Sequence, residues 1–167
     1  PVLMLASQAR LKARNASAER WIDAPDFFVG MFTTALEPDE ILVEIEVPFM
    51  PPRTGWSFLE VAPRAGDYAM MGVAVLVTLD EAGTCQAAKL VYLNAGDGPV
   101  DAQEAAQLLQ GQAVSEGLID SAAELASGTE INPFGNIHAS VEYQRHLAKV
   151  LTKKALKIAI ERAAEER

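Results

Sequence analysis

An α+β fold, strands first and helices after them, is predicted by three observations. EILVEIEVP alternates strictly, with Ile41, Val43, Ile45 and Val47 apolar. The runs GVAVLVTLDEAG and CQAAKLVYLNAG are joined across a short turn at Asp80 to Gly83. After Pro99 the apolar spacing changes from two residues to three and four. Alternation marks a strand with one covered face, and the longer spacing marks an amphipathic helix. Strands and helices segregated in this way form a layered α+β structure, with the helices on one face of the sheet.

The elements follow in order. VLMLASQARLKAR alternates from Leu3 to Leu11, and Asn15 with Ser17 supplies turn chemistry before RWIDA, so a strand hairpin is expected there. Pro25 and Asp26 open a short turn through Phe27 and Phe28, which Gly30 breaks, and EILVEIEVP is the next strand. Pro48, Pro51 and Pro52 then interrupt any ladder or helix, since proline has no amide hydrogen and restricts the residue before it. A boundary is placed there, giving units 1–52 and 53–167. WSFLEVA and the two apolar runs make a three-stranded antiparallel sheet. Asp101 with Glu104 gives a capping-box-like start to a helix ending at Gly111. A second helix covers Gly117 to Ala126 before Gly128. From about Ser140 onward, Leu147, Val150, Leu151, Ala155 and Ile158 define one long amphipathic helix.

Composition narrows the function. Half of the 167 residues are hydrophobic (50%) and 22% are charged, as in an ordinary globular domain. A net charge of -9 argues against a nucleic-acid surface, which needs a basic face to displace counterions. Lys153, Lys154 and Lys157 read as a solvated helix face. The single cysteine, Cys85, excludes an internal disulfide framework and reads as a buried strand residue. His138 reads as a loop or cap residue and His146 as a helix-surface residue, neither at metal-ligand spacing. No apolar stretch of about 20 residues is present to span a bilayer. The opening PVLMLASQ lacks the basic leader of a signal peptide and reads as mid-protein, which leads to an expected cytoplasmic location.

Four strings in fixed order then coincide with one family: FFVGMFTTALEPDEILVEIEVP, RAGDYAMMGVAV, NAGDGPVDAQEAAQLL and HASVEYQRHLAKVLTKKAL. Across nearly its whole length the chain resembles the C-terminal part of the flavoprotein subunit of molybdenum hydroxylases of the carbon monoxide dehydrogenase and xanthine dehydrogenase type. The resemblance implies the end of an FAD-binding domain in residues 1–52. In residues 53–167 it implies the flavoprotein C-terminal domain, a three-stranded antiparallel sheet packed with helices. It also implies FAD as cofactor, with the molybdenum cofactor on a large partner subunit and iron-sulfur clusters on a small one. Electrons would pass from those clusters to FAD and on to an acceptor. The glycine-rich loops that cradle pyrophosphate in such proteins have no counterpart here; AGDGP and NPFGN read as turns.

The same resemblance singles out cofactor-binding candidates. Leu42 matches a position packed against the isoalloxazine, although periodicity alone makes it a core-facing strand residue. Thr34 is a hydrogen-bond donor to the cofactor or a turn residue. In GDYA, Gly66 permits a tight turn, Asp67 supplies a fixed carboxylate that is also within reach of Arg64, and Tyr68 offers a ring and a hydroxyl. Where some relatives place a lysine that helps hold the cofactor, this chain has Leu59 and Glu60. Tyr143, Arg145 and Leu147 are expected to pack on the sheet, and Lys157 with Glu161 to form an i,i+4 pair. A second reading, from another class, is a non-catalytic assembly module with no cofactor of its own. A hydrolase finds no support in a serine, histidine and acid constellation or a nucleophile elbow.

Overall fold

The computed structural model describes residues 1–30 and 32–165. The chain opens with a short helix, α1 (Val2–Ala6), where the alternation had suggested a strand. Val2, Leu5, Ala6 and Ala9 are all buried, a three- and four-residue spacing that suits a helix laid on another surface. The hairpin follows as β1 (Arg10–Arg14) and β2 (Glu19–Asp23), with Asn15 Oδ1 accepting the Ser17 and Ala18 amides in its turn, both at 2.9 Å. Pro25 sits in the first turn of α2 (Ala24–Phe27), where its missing amide costs nothing. A ribbon of β3 (Phe28–Gly30) and β4 (Thr33–Thr34) leads to β5 (Ile41–Glu46), and the first sheet has the antiparallel order β2-β1-β5.

The second sheet contains β6 (Thr54–Val61), β7 (Met71–Leu79) and β8 (Cys85–Leu93), antiparallel as expected. A two-residue fourth strand, β9 (Val100–Asp101), extends it to the order β6-β7-β8-β9. That strand changes the reading of the next helix. Asp101 pairs with the Lys89 ammonium at 2.6 Å and does not cap α3 (Gln103–Leu109). The first amides of α3, at Glu104 and Ala105, donate instead to the two carboxylate oxygens of Glu130, 26 and 25 residues along the chain. α4 (Glu116–Leu125) is capped by Ser115, whose hydroxyl accepts the Leu118 amide, and continues as a π-helical turn, Ala126–Glu130, straight through Gly128.

The last helix, α5 (Val141–Glu165), lies across the sheet with Leu147, Leu151, Ala155, Leu156 and Ala159 buried. Its approach to β6 is close because of Gly55: a Cβ there would stand 1.8 Å from the Ala159 carbonyl oxygen and 2.5 Å from the Ala163 nitrogen. Next to it, the Ser57 hydroxyl donates to the Ala155 carbonyl at 3.0 Å. Deeper in, Thr152 donates to the Ala148 carbonyl, so the Tyr92 phenol is the donor in their 2.6 Å contact. Burial pushes that phenol above its ordinary pKa. Three lysines of α5 are paired and not free in solvent: Lys149, Lys153 and Lys157 pair with Glu124, Asp120 and Glu116 of α4 as three successive rungs, while Lys154 is exposed as expected. Lys157 thus bridges two helices, whereas an i,i+4 pair with Glu161 had been expected.

Helices cover both faces of this sheet, not one. Val73, Val75 and Val77 of β7 join the core under α3, α4 and α5. Ala74 and Val91 join a second core with α1, Leu11, Ala13 and Ile22, against which Leu76 also packs. Cys85 is buried at the start of β8 and its thiol is pushed up to about 11 by burial, which makes it a packing residue.

Candidate functional site: a groove at the end of the second sheet

Three connections meet at the end of the second sheet and enclose a groove of about 450 Å³. One wall is the β6–β7 loop, with Asp67, Tyr68, Ala69 and Met70. The floor is the end of β8, with Leu93 and Asn94, and the other wall is the link into α5, with Asn136 and His138. Apolar groups at Met70 and Leu93 thus face the same space as the amides of Asn94 and Asn136. An apolar hollow of about 480 Å³ adjoins it, sharing Leu93 and Asn94 and lined also by Leu3, Met4, Phe58 and Pro99.

The β6–β7 loop is fixed from both sides. Gly66 takes a positive φ of 81°, which its missing Cβ makes cheap. Arg64 Nε donates to the Asp67 carboxylate at 2.9 Å, and the other carboxylate oxygen accepts the Tyr68 amide at 2.9 Å. On the far side the Met70 amide donates to the Val61 carbonyl at 2.7 Å. Asn94, itself at a φ of 55°, donates from Nδ2 to the Ala69 and Met70 carbonyls at 3.1 and 3.0 Å. Between these anchors the Tyr68 side chain stands 94% exposed. Across the groove, Asn136 Oδ1 accepts the His138 and Ala139 amides and closes the connection into α5.

Of the residues singled out from sequence, Asp67 and Tyr68 stand together on this groove, with Asp67 in the ion pair to Arg64 that had been weighed for it. Thr34 and Leu42 lie on the first unit: Thr34 is exposed in β4 opposite Phe28, and Leu42 is opposite Ala13 at the edge of the first sheet. Leu42 is 39% exposed, and Ile41, Val43 and Ile45 beside it are exposed too, so β5 does not bury a core face within the described residues. Glu60 also points outward. His146 is exposed on α5 and stacks with Tyr143. Arg145 donates to the Ser127 and Gly128 carbonyls at the π-helical turn, and Leu147 is buried in the core.

Sequence reasoning missed Gln144. This side chain is 1% exposed, and its amide reaches all three parts of the groove: Oε1 accepts the Gly135 amide at 2.8 Å, while Nε2 donates to the Met70 and Asn94 carbonyls at 3.1 and 3.4 Å. The signal was present, since Gln144 lies three and seven residues before Leu147 and Leu151, on the apolar stripe of its helix. A polar residue on a buried stripe needs partners. Among the described residues no group of three or more His, Cys, Asp and Glu is placed to hold a metal ion, and no helix is long and apolar enough to cross a membrane.

Comparison with known proteins matches this architecture. Residues 56–159 fit the family model described as the CO dehydrogenase flavoprotein C-terminal domain, and residues 1–50 fit the FAD binding domain in molybdopterin dehydrogenase. The chain is 34% identical to the 6-hydroxypseudooxynicotine dehydrogenase complex subunit alpha of Paenarthrobacter nicotinovorans, over 98% of this chain and 55% of that one. It is 30% identical to the carbon monoxide dehydrogenase medium chain of Afipia carboxidovorans, over 98% of this chain and 56% of that one. Among solved structures, carbon monoxide dehydrogenase from Hydrogenophaga pseudoflava superposes with a TM-score of 0.92 at 28% identity, covering 97% of this chain and 56% of that one. Quinoline 2-oxidoreductase from Pseudomonas putida 86 gives 0.88 at 32% identity, covering 98% and 56%. The chain therefore spans about half the length of the relatives it matches. With the α+β layers and two consecutive family matches in agreement, this chain belongs to the CO dehydrogenase flavoprotein C-terminal domain family, with residues 1–50 matching the FAD binding domain in molybdopterin dehydrogenase.

Proposed function

We propose that the chain forms the ring-side part of the FAD site in the electron-transfer subunit of a molybdenum hydroxylase. In this reading residues 1–52 complete an FAD-binding domain and residues 53–167 form the C-terminal domain. Electrons reach the flavin from iron-sulfur clusters on a small partner subunit, fed in turn by a molybdenum-binding large subunit, and leave to an acceptor in the cytoplasm. The observation that carries the reading is Tyr68: a fully presented aromatic ring on a loop whose backbone is anchored on both sides, at the rim of a groove of mixed polarity. A flat heteroaromatic ring with one apolar edge and one hydrogen-bonding edge suits such a wall.

The fit is to the ring and not to the diphosphate. The N-termini of α3, α4 and α5 are already served by Glu130, Ser115 and Ser140 of the chain itself, so these helices offer no open anion cradle. The diphosphate would therefore rest on residues outside this chain. FAD, when bound, supplies the redox chemistry. The chain's own contributions are to hold and shield it. Tyr68 provides a stacking face, Asp67 fixes the loop through Arg64 and the Tyr68 amide, and Thr34 and Leu42 contribute a hydroxyl and an apolar wall from the first unit. The open apolar strand β5 supports a ligand or further chain against Leu42, because an apolar strand left in water on both sides is costly.

The test is the full-length subunit, purified natively. A flavin absorbance between about 350 and 500 nm, with FAD released on denaturation, is expected. Tyr68→Ala should then weaken FAD about tenfold, the scale of one lost aromatic contact. A colourless full-length subunit would sink the flavoprotein reading and leave an assembly module.

A further inference from the structure

Gln144 bonds to each of the three segments that wall the groove, the one side chain among the described residues with hydrogen bonds to all three. Its orientation follows from the partners: Gly135 offers an N–H, Met70 and Asn94 offer carbonyls, so the amide oxygen must face the first and the NH₂ the other two. All of its donors are then used in a buried position, where an unmade bond is expensive. The Met70 carbonyl accepts from Asn94 as well, so the carbonyl two residues after Tyr68 is held by two side-chain amides arriving from the end of β8 and from α5. Such double anchoring is not needed to close a loop, since the Met70 amide already bonds to Val61. What it fixes is the backbone just after Tyr68, and a loop held in one course presents its exposed residue to a flat ligand without the cost of ordering that backbone first.

We infer that Gln144 is a positioning residue for the cofactor face: it touches no ligand itself and, with Asn94, sets the course of the backbone that carries Tyr68 by tying the Met70 carbonyl to the floor and far wall of the groove. This inference rests on the flavin reading above. It assigns the buried end of α5 a part in the site, so the last helix and the cofactor surface are one mechanical unit.

The experiment is a double-mutant cycle on the full-length subunit, stripped of flavin and titrated with FAD, with the visible circular dichroism of the bound flavin as a second readout. Tyr68→Ala and Gln144→Leu should each weaken FAD about tenfold and change the flavin dichroism in the same sense, and the double variant should be within about twofold of Tyr68→Ala alone. A double variant about a hundredfold weaker, the product of two independent effects, would overturn the inference while leaving the flavin reading intact. Unchanged FAD affinity in Gln144→Leu or in Tyr68→Ala would do the same, whereas a full-length subunit that takes up no FAD at all would remove the flavin reading itself. Should Gln144→Leu fail to fold, Gln144→Glu keeps the acceptor for the Gly135 amide and removes the two N–H donors to Met70 and Asn94. The same non-additivity with Tyr68→Ala is expected of it, and additive losses would refute the role.

Discussion

Arg20 and Glu40 show how single residues place the first unit's candidate strand. Arg20 Nε and Nη2 donate to the two carboxylate oxygens of Glu40 at 2.7 and 2.8 Å, and Nη2 also donates to the Ala35 carbonyl at 2.6 Å. Glu40 in turn accepts the Glu37 amide at 2.8 Å, so β2 is tied to the turn that delivers Leu42. The Arg20 hydrogen bonds, then the Glu37 amide, hold the Glu40 carboxyl down at about 2 from its ordinary 4.5. A carboxyl whose folded pKa is depressed stabilises the fold above its unfolded pKa and loses that contribution as the pH falls towards the folded one. The stability gap between the native chain and Arg20→Gln should therefore be widest above pH 4.5 and close towards pH 2. Denaturant midpoints at neutral and acid pH measure it, and a gap of constant size would show that the pair is not what the arginine supports. None of this was legible in the sequence. Arg20 and Glu40 lie 20 residues apart, and nothing in their local pattern announces a pair.

At the scale of elements, the contact that sets the helix-to-sheet distance is Gly55 under Ala159 and Ala163. Both obstacles to a side chain there are backbone atoms, which cannot rotate away as a side chain can. Gly55→Ala should therefore cost about 3 kcal/mol or more, at the upper end of overpacking effects, because α5 must lift off β6 along its length. Chemical unfolding would read this directly, and a cost below about 1 kcal/mol would mean that the helix is free to shift. Most elements were legible from period alone: β5, β7, β8, α4 and α5 all stand where alternation or helical spacing put them. Two of the errors were of one kind. Alternation read from Leu3 to Leu11 pointed to a strand, yet residues 2–6 form α1, because their burial is decided by the sheet they lie on. Asp101 looked like a cap, but Lys89 takes it for β9 while Glu130 serves the helix from far along the chain. Long-range partners overrule short-range patterns in each case.

For the molecule as a whole, the four residues marked from sequence fall in two places. Asp67 and Tyr68 were marked by a short, glycine-led string and meet on one groove. Their supports, Asn94, Gln144 and the Asn136 connection, come from three distant stretches that only the fold assembles. Thr34 and Leu42 remain on the other unit, joined to the second sheet through α1. That joint makes the second sheet a shared partition: β7 is paired on both edges and covered on both faces, by α5 on one side and by α1 on the other. In the language of motion, such a strand has no cheap way to open. Its amides reach solvent only when both cores are breached, so β7, with the facing stretch of β8, should carry the slowest hydrogen exchange in the chain. The β6–β7 and β7–β8 turns at its ends should exchange far sooner. Exchange in β7 as fast as in the exposed edge strand β5 would show that the two cores do not shield it. A strand that exchanges last gives the groove at its end a floor that stays still while the loops around it breathe.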